Sequence, residues 1–457
     1  MSDFLGNPAT VRAGAPATEQ TRLYEGWWIV AVAFSCLMFT FGAPTLLLPM
    51  IFGPVIDEFG WSRTDATMIA TYKFSAAAIG AVLIGPVIER LGLRVVILSA
   101  SVVTGIAMVG FLWVHHLWQY YALGAVLGFT AIAVIISVKV MVSRWFSRNQ
   151  GLAIGIALAG ASFAGVIVPI LAEPIIRHYD WRMAFAAVSL GIWIVALPFY
   201  LWKARETPSA DEIRSDAYGV GQSDAAQPLG PSARSAVAVD MERAELDLTF
   251  SDILGGRMFW LIAASLFIVG LVDQGVTQNT VLYLNRDLGM GSRVAALGLS
   301  GTFALGIAAK VGSGWVYDKL SIRGIMACYY LLAIAVALAL PIVGIATLVL
   351  FTVARGLAHG GLIADTAIFA KHCFGHRHMS KMIGILVGIT TLGYATGPVL
   401  LAAIHDHFGS YRYGFILYAV LAVLAALLLL GVRPLYRQRA MRVARGEAPA
   451  VPATASG

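Results

Sequence analysis

Five ionisable side chains lie inside segments that are otherwise apolar enough to cross a membrane. Arg355 and His359 are one helical turn apart in ARGLAHGG, Asp273 opens the run DQGVTQN, and Lys310 and Lys73 lie in two further apolar runs. A charge at the centre of a bilayer costs about 2.5 to 3.5 kcal/mol, so such residues face one another or a wet cavity. Three bases against one acid leave a positive balance, which favours an anionic ligand.

The bases predict how a carboxylate would be bound. Arg355 can hold it with two parallel hydrogen bonds, whereas Lys310 and Lys73 act as point charges, with Lys73 on the external side to guide the anion inward. Gln274 and Gln278 recur at i, i+4 and either orient this ligand or make hydrogen bonds between helices. We predict that these side chains, together with His359, form a substrate-binding site.

Asp273 is the predicted proton-coupling residue, with His359 as a second candidate because imidazole titrates near neutral pH. Two alternatives remain open. Asp273 could form a purely structural ion pair with a base such as Lys310, and His359 could be an ordinary hydrogen-bonded core histidine.

The elements that position these residues must be membrane helices. The chain has 457 residues, of which 59% are hydrophobic and 12% charged, with a mean hydropathy of +0.78; soluble domains carry about 25% charged residues. Runs long enough to cross about 30 Å of hydrocarbon recur along the chain. The twelve predicted spans are 27–50, 66–88, 94–114, 118–141, 150–173, 182–202, 258–284, 294–317, 323–343, 345–370, 381–404 and 412–432. The predicted fold class is therefore an all-α integral membrane protein.

Basic residues concentrate on the side that carries both termini, which places the termini in the cytoplasm. This distribution explains the net charge of +7 and excludes nucleic-acid binding. The Ala-, Gly- and Arg-rich composition indicates a bacterial source, so the expected location is the inner membrane, as a multi-pass and monomeric protein in contact with lipid.

The chain divides into two similar halves. A polar segment, 203–251, is predicted to be a cytoplasmic linker between a six-helix half at 24–202 and another at 252–432. Residues 1–23 and 433–457 are a disordered N-terminus and a basic tail. GPVIERLGLR at 85–94 recurs as GWVYDKLSIR at 314–323, which indicates parallel repeats.

These two stretches resemble the signature of the major facilitator superfamily, and the resemblance extends over residues 24–435. It implies two six-helix halves around a central cavity that opens alternately to each side. It also implies that acid–base clusters in the loops form a cytoplasmic gate. The predicted gate residues are Glu89, Arg90, Arg94, Arg148, Asp318, Lys319, Arg323 and Arg377, with Asp365, which lies about 12 Å from the centre on another face of its helix.

Within this superfamily the chain is similar to the monocarboxylate porters and the oxalate/formate exchangers. The similarity is carried by GWWIV in span one, RWFSRNQGLAIGIALAG at 144–160, DWRMAF at 180–185 and GPVLLAAIHDHFGSYRYGF at 397–415. Lys310 stands where the porters have a substrate-binding arginine. Gly306 and Thr45 replace an acid and a lysine associated with proton-coupled lactate transport, and residues 382–404 lack the lysine of the oxalate exchangers.

The sequence thus predicts a secondary transporter that takes up a small organic anion, a monocarboxylate or related carboxylate, with protons. An anion exchanger or an exporter of hydrophobic compounds uses the same fold, and a receptor without flux is disfavoured by the short linker and tail. Catalytic triads, phosphate-binding loops and paired carboxylates are missing from the sequence, so we expect no enzyme and no cofactor. The run KHCFGHRH at 371–378 is explained by cytoplasmic positive charge and predicts no metal site.

Overall fold

The computed structural model describes residues 25–146, 150–205, 207, 250–320, 322–362, 365–374 and 379–432. The predicted N-terminal segment 1–23, most of the predicted linker 203–251 and the predicted tail 433–457 lie outside these residues. The proposed limits of these three segments stay predictions.

Twelve apolar helices run through the described residues. The N-terminal half contains α1 (Gly26–Phe59), α2 (Arg63–Leu91), α3 (Leu93–Trp113), α4 (Leu117–Trp145), α5 (Gln150–His178) and α6 (Trp181–Lys203). The C-terminal half contains α7 (Arg257–Asp287), α8 (Ser292–Leu320), α9 (Ile322–Ala337), α10 (Ile345–Gly361), α11 (Met379–Phe408) and α12 (Arg412–Gly431). In the part of the chain described here, ten are long and apolar enough to cross a membrane, and α9 and α10 are shorter apolar helices. The predicted all-α, multi-pass fold is confirmed.

Two helices differ most from their predicted spans. The first was predicted to end at residue 50, but α1 continues through Pro49 and Pro54 and ends at Phe59. Proline is tolerated inside membrane helices because neighbouring groups satisfy the freed carbonyls. The tenth span was predicted to run to residue 370, but α10 ends at Gly361 and a new helical segment begins at Asp365. Adjacent glycines at 360 and 361 weaken the helix there.

The two halves repeat the same tight helix contacts. A Cβ atom built on Gly160 of α5 would lie 2.2 Å from the carbonyl oxygen of Phe34 on α1. A Cβ on Gly393 of α11 would lie 2.3 Å from the carbonyl oxygen of Phe267 on α7. Both C-terminal residues stand 233 positions after their N-terminal counterparts. The α1–α5 pair is therefore repeated as α7–α11, with backbones so close that only glycine fits.

A second pair of contacts shows the same repeat. A Cβ on Gly128 of α4 would lie 1.8 Å from the carbonyl oxygen of Lys73 on α2. A Cβ on Gly360 of α10 would lie 2.5 Å from the carbonyl oxygen of Gly306 on α8. Lys73 and Gly306 are thus equivalent positions of two parallel six-helix halves. The structure thus confirms the predicted duplication. The two equivalent positions differ chemically, because the N-terminal half has the lysine Lys73 where the C-terminal half has Gly306.

Candidate functional site

Three of the predicted site residues meet at one point between α7 and α10. Asp273 Oδ1 accepts a hydrogen bond of 2.7 Å from Arg355 Nη2 and lies 3.0 Å from His359 Nδ1. Arg355 Nη2 also donates to the Asp273 carbonyl at 2.8 Å and to Thr277 Oγ1 at 2.7 Å. Both members of the ion pair are fully buried. Arg355 Nε and Nη1 have no hydrogen-bond partner among the described residues, so the guanidinium keeps unused donors.

Small residues bring α10 close enough to α8 to hold this cluster. A Cβ on Gly356 would lie 2.8 Å from the Thr302 carbonyl oxygen, and Gly360 packs directly on α8. Arg355 and His359 precede these glycines, so the helix register directs them away from the α8 contact line towards α7. The His359 ring rests edge-on against Phe303, with ring centroids 4.9 Å apart.

Gly306 gives the imidazole its space. A Cβ at this position would already lie 3.5 Å from His359 Cδ2, so a longer side chain would meet the ring. The resemblance leads one to expect an acid at position 306, where this chain has glycine. The acid that contacts His359 is Asp273, on another helix.

Lys73 lies in a separate, partly aromatic environment in the N-terminal half. Its side chain is 1% exposed, and its amine donates to Thr45 Oγ1 on α1. The amine also lies 5.7 Å from the ring centroid of Phe41 and 5.3 Å from that of Phe74. Each contact is a weak cation–π attraction. Lys73 makes no ion pair with any described acid.

Lys310 bridges the two halves. It lies on α8 and its amine donates to Ser162 Oγ on α5, a hydroxyl that is itself buried. The alternative in which Lys310 pairs with Asp273 is not the one found here, since that carboxylate contacts Arg355 and His359 instead. Lys310, like Lys73, thus has a neutral hydroxyl as its side-chain partner.

A chain of polar groups links the lysine of one half to the acid of the other. Gln278 Nε2 lies 3.5 Å from the Thr45 carbonyl oxygen and 3.4 Å from Gln274 Oε1. Gln274 Nε2 in turn lies 3.4 Å from Asp273 Oδ2. These are long hydrogen bonds, and Gln278 Oε1 is buried without a described partner. Both glutamines therefore border the site, on the side where α7 crosses α1.

The end of the bundle where α1 and α7 finish, here called the distal end, is closed by contacts between the halves. Arg63 Nη1 on α2 lies 2.6 Å from Asp287 Oδ2 on α7, and Arg286 pairs with Asp57. Neither arginine is among the residues predicted from the sequence to form the site or the gate. Their acidic partners at helix ends were the signal that sequence reasoning missed.

Hydroxyl–carboxylate bonds close the same end along both long seams between the halves. Thr64 Oγ1 on α2 donates to Asp406 Oδ2 on α11 at 2.6 Å, and Ser292 Oγ on α8 donates to Glu173 Oε1 on α5 at 2.6 Å. Because α2–α11 and α8–α5 are repeat-related, the closure has approximate two-fold symmetry.

The proximal parts of the same helices, at the opposite end of the bundle, carry glycines with open space beside them. A Cβ at Gly155 of α5, Gly312 of α8, or Gly384 and Gly388 of α11 would meet no heavy atom of the described chain within 4 Å. Nearer the middle, a Cβ on Gly165 would lie only 2.3 Å from Phe303 across the seam. Packing between the halves is thus tight near the middle of the α5–α8 seam.

The predicted gate residues are only partly covered by the described structure. Glu89, Arg90, Arg94 and Arg323 are exposed at the proximal end. Arg148 and Arg377, and the side chains of Asp318 and Lys319, lie outside what the structure describes. Asp365 is 2% exposed and accepts a hydrogen bond of 2.9 Å from Tyr329 Oη on α9. The gate stays a prediction, and Asp365 contacts a helix of its own half.

The chain matches a known protein family over most of its length. The Major Facilitator Superfamily model matches residues 29–364 and 323–455. Monocarboxylate transporter 4 of Rattus norvegicus is 22% identical over 415 residues, which cover 89% of this chain and 83% of that protein. The cis,cis-muconate transport protein of Acinetobacter baylyi is 22% identical, with 90% and 96% covered.

Solved structures show the same fold. A bacterial homologue of the human lysosomal transporter Spinster, in an inward-facing and occupied conformation, has a TM-score of 0.68 at 14% identity, covering 95% of this chain and all of that one. A D-xylose–proton symporter has a TM-score of 0.64 at 16% identity, with 90% and 98% covered.

Proposed function

The chain belongs to the major facilitator superfamily, and from this premise we propose that it carries a small organic carboxylate across the membrane together with protons. Its relatives and structural neighbours are membrane transporters, not enzymes. Two relatives, monocarboxylate transporter 4 and the cis,cis-muconate transport protein, are named for carboxylates and support a carboxylate as the substrate. The proposal is specific in assigning the anion to Lys73, Lys310 and Arg355, with Gln274 and Gln278 at its border.

One observation carries the proposal: Arg355 and His359 share the carboxylate of Asp273 in a buried cluster, while the amines of Lys310 and Lys73 donate to hydroxyl groups and not to acids. Breaking a buried ion pair is expensive, so Arg355 is released only when another negative charge replaces Asp273. A substrate carboxylate is such a charge. Cationic side chains at the centre of the bundle thus favour an anion over a neutral hydrophobic compound.

The same cluster supports proton coupling. A proton that binds to Asp273 removes the charge that holds Arg355, and the guanidinium can then bind a substrate carboxylate through its free N–H groups. Loss of the proton restores the internal pair and expels the anion. His359, which contacts the same oxygen, is positioned to deliver or receive this proton. In this scheme substrate and proton bind together, as uptake by symport requires.

The distal closure supports alternating access. With the termini in the cytoplasm, as the sequence predicts, the distal end would face outside. The ion pairs Arg63–Asp287 and Arg286–Asp57 would then separate whenever the outer side opens. Opening would bring Lys73 within reach of an external anion, while the predicted proximal acid–base residues would close the inner side.

The proposal is tested with purified protein in proteoliposomes. Uptake of a carboxylate panel is measured with and without an inward proton gradient, for the wild type and for Arg355→Gln and Lys310→Gln. We expect uptake to rise with the gradient and both variants to lose most of it. Undiminished transport by both variants would remove the binding assignment. Exchange that ignores the gradient would replace symport with antiport.

A further inference from the structure

Two buried or half-buried ammonium groups in the site lack a negative partner. Lys73 on α2 and Lys310 on α8 belong to opposite halves, and each makes one hydrogen bond to a hydroxyl. An ammonium group has three N–H donors, so each lysine keeps two unused. Neither lysine forms an ion pair with an acid in the described part of the chain.

The remaining charges of the site do not change this balance. Asp273 is occupied by Arg355, and His359 shares the same oxygen. Asp365 lies elsewhere and accepts hydrogen bonds from Tyr329 and from the Thr366 backbone. Neither amine therefore has a contacting acid in the described part of the chain to balance its charge. Cation–π contacts reduce the cost at Lys73 but supply no counter-charge.

The two amines are anchored at similar depths. Thr45, which binds Lys73, lies one helical turn after Gly42 on α1, and Ser162, which binds Lys310, follows Ala161 on α5. A Cβ on Gly42 would lie 2.7 Å from the Ala161 carbonyl oxygen, so α1 and α5 are in contact at this level. Helices in contact have axes about 8–10 Å apart. The two hydroxyl groups that bind the amines thus lie on helices that are in contact at this level.

We infer that the transported anion is a dicarboxylate, with one carboxylate bound by Lys73 of the N-terminal half and the other by Lys310 of the C-terminal half, which Arg355 joins once Asp273 is protonated. This inference rests on the proposed function and narrows its substrate class. A dianion neutralises both ammonium groups, whereas a monocarboxylate leaves one of them without a counter-charge in a low-dielectric site. A ligand held by both halves also links substrate binding to their relative position.

The test compares adipate with hexanoate, which have the same six-carbon chain and differ in the second carboxylate. Uptake of each radiolabelled acid is measured in proteoliposomes that contain the full chain. We expect adipate to half-saturate transport at a concentration at least tenfold lower than hexanoate. Lys73→Gln and Lys310→Gln should each reduce that preference by at least tenfold, because either change leaves a single ammonium group.

Lys203→Gln is the matched control, because Lys203 contacts the rings of Trp28 and Trp202 at the proximal end and should leave the preference unchanged. Transport of hexanoate equal to or better than that of adipate would overturn the dicarboxylate assignment and leave the proposed function intact. Transport of neither acid, nor of any other carboxylate, would overturn the proposed function itself. The wild-type comparison decides the matter even if a lysine variant fails to fold.

Discussion

Asp273 on α7 and Arg355 on α10 form a buried ion pair in which Asp273 Oδ1 lies 2.7 Å from Arg355 Nη2. His359 Nδ1 lies 3.0 Å from the same oxygen. One carboxylate oxygen therefore contacts two bases. The three N–H groups on Arg355 Nε and Nη1 have no hydrogen-bond partner among the described residues. In the proposed mechanism, the charge of Asp273 therefore determines whether Arg355 is free to bind substrate.

Replacing Asp273 with Asn should destabilise the protein and uncouple it from the proton gradient. The substitution leaves the Arg355 charge buried without a counter-charge, which costs about 3 to 5 kcal/mol. Thermal unfolding of the purified protein should show a lower midpoint, and uptake in proteoliposomes should no longer respond to a proton gradient.

The double variant Asp273→Asn with Arg355→Gln separates these two effects. Removing both charges should recover most of the lost stability while proton-driven uptake stays absent. Retention of gradient-dependent uptake by Asp273→Asn alone would contradict the coupling role.

Gly128→Ala should disturb the site from a distance. Its Cβ would lie 1.8 Å from the carbonyl oxygen of Lys73, so α4 must move away from α2 or shift the lysine. Overpacking of this kind costs about 1 to 3 kcal/mol, and this contact is tight enough to expect the upper part of that range. Both the unfolding midpoint and the uptake rate should fall.

Gly155→Ala makes the same chemical change on α5 where a Cβ meets no described atom. It should leave stability within about 0.5 kcal/mol, as exposed substitutions usually do. Equal effects of the two alanine variants would show that the α2–α4 contact does not position Lys73.

Two neighbouring buried amides on α7 should respond differently to leucine. Asn279 is fully bonded: its amide donates to the Gly275 and Pro398 carbonyls, and its oxygen accepts from Tyr411. Asn279→Leu leaves these groups unpaired and should cost about 2 to 4 kcal/mol, since each buried unsatisfied group costs about 1 to 3 kcal/mol.

Gln278→Leu should be almost neutral for stability, because the glutamine makes only long hydrogen bonds and its Oε1 has no described partner. Transport should nevertheless fall several-fold, because the polar chain between Thr45 and Gln274 is cut. Thermal unfolding and uptake measured in parallel distinguish the two variants. A large loss of stability with Gln278→Leu would assign this residue a structural role instead.

A disulfide across the distal seam should stop transport reversibly. Thr64 Oγ1 and Asp406 Oδ2 are 2.6 Å apart on opposite halves, so cysteines at both positions should bridge when the distal end is closed. In a background without Cys36, Cys328 and Cys373, oxidation should abolish uptake and reduction should restore it. Each single cysteine variant is the control, and full activity of the bridged protein would show that this end does not open.

The sequence was sufficient to predict the helices and the duplication. Length and hydropathy determine where a helix crosses a bilayer, and the midpoint of each span determines which residues share a level. Asp273, Arg355 and His359 were expected at one level and do meet there. The repeat was visible in residues 85–94 and 314–323 and recurs in the glycine contacts.

Side-chain partners could not be predicted in the same way. Periodicity shows which residues share a helix face but not which other helix that face meets, so Asp273 could equally have paired with Lys310. Thr45 and Ser162 carried no signal, because hydroxyl residues are common in membrane helices. The contacts that close the distal end belong to one conformation of the transport cycle. The same sequence adopts every conformation of that cycle, so it does not reveal these contacts.

The repeat-related glycines have a consequence for molecular recognition. Arg355 and His359 precede Gly356 and Gly360 on α10, and Leu123 and Leu127 stand at the equivalent positions before Gly124 and Gly128 on α4. A symmetric framework therefore surrounds a chemically asymmetric interior: guanidinium and imidazole on one side, leucine and an aromatic-flanked ammonium on the other. A molecule with two different ends meets a different environment at each, so transport should discriminate between positional isomers and between enantiomers of the same acid.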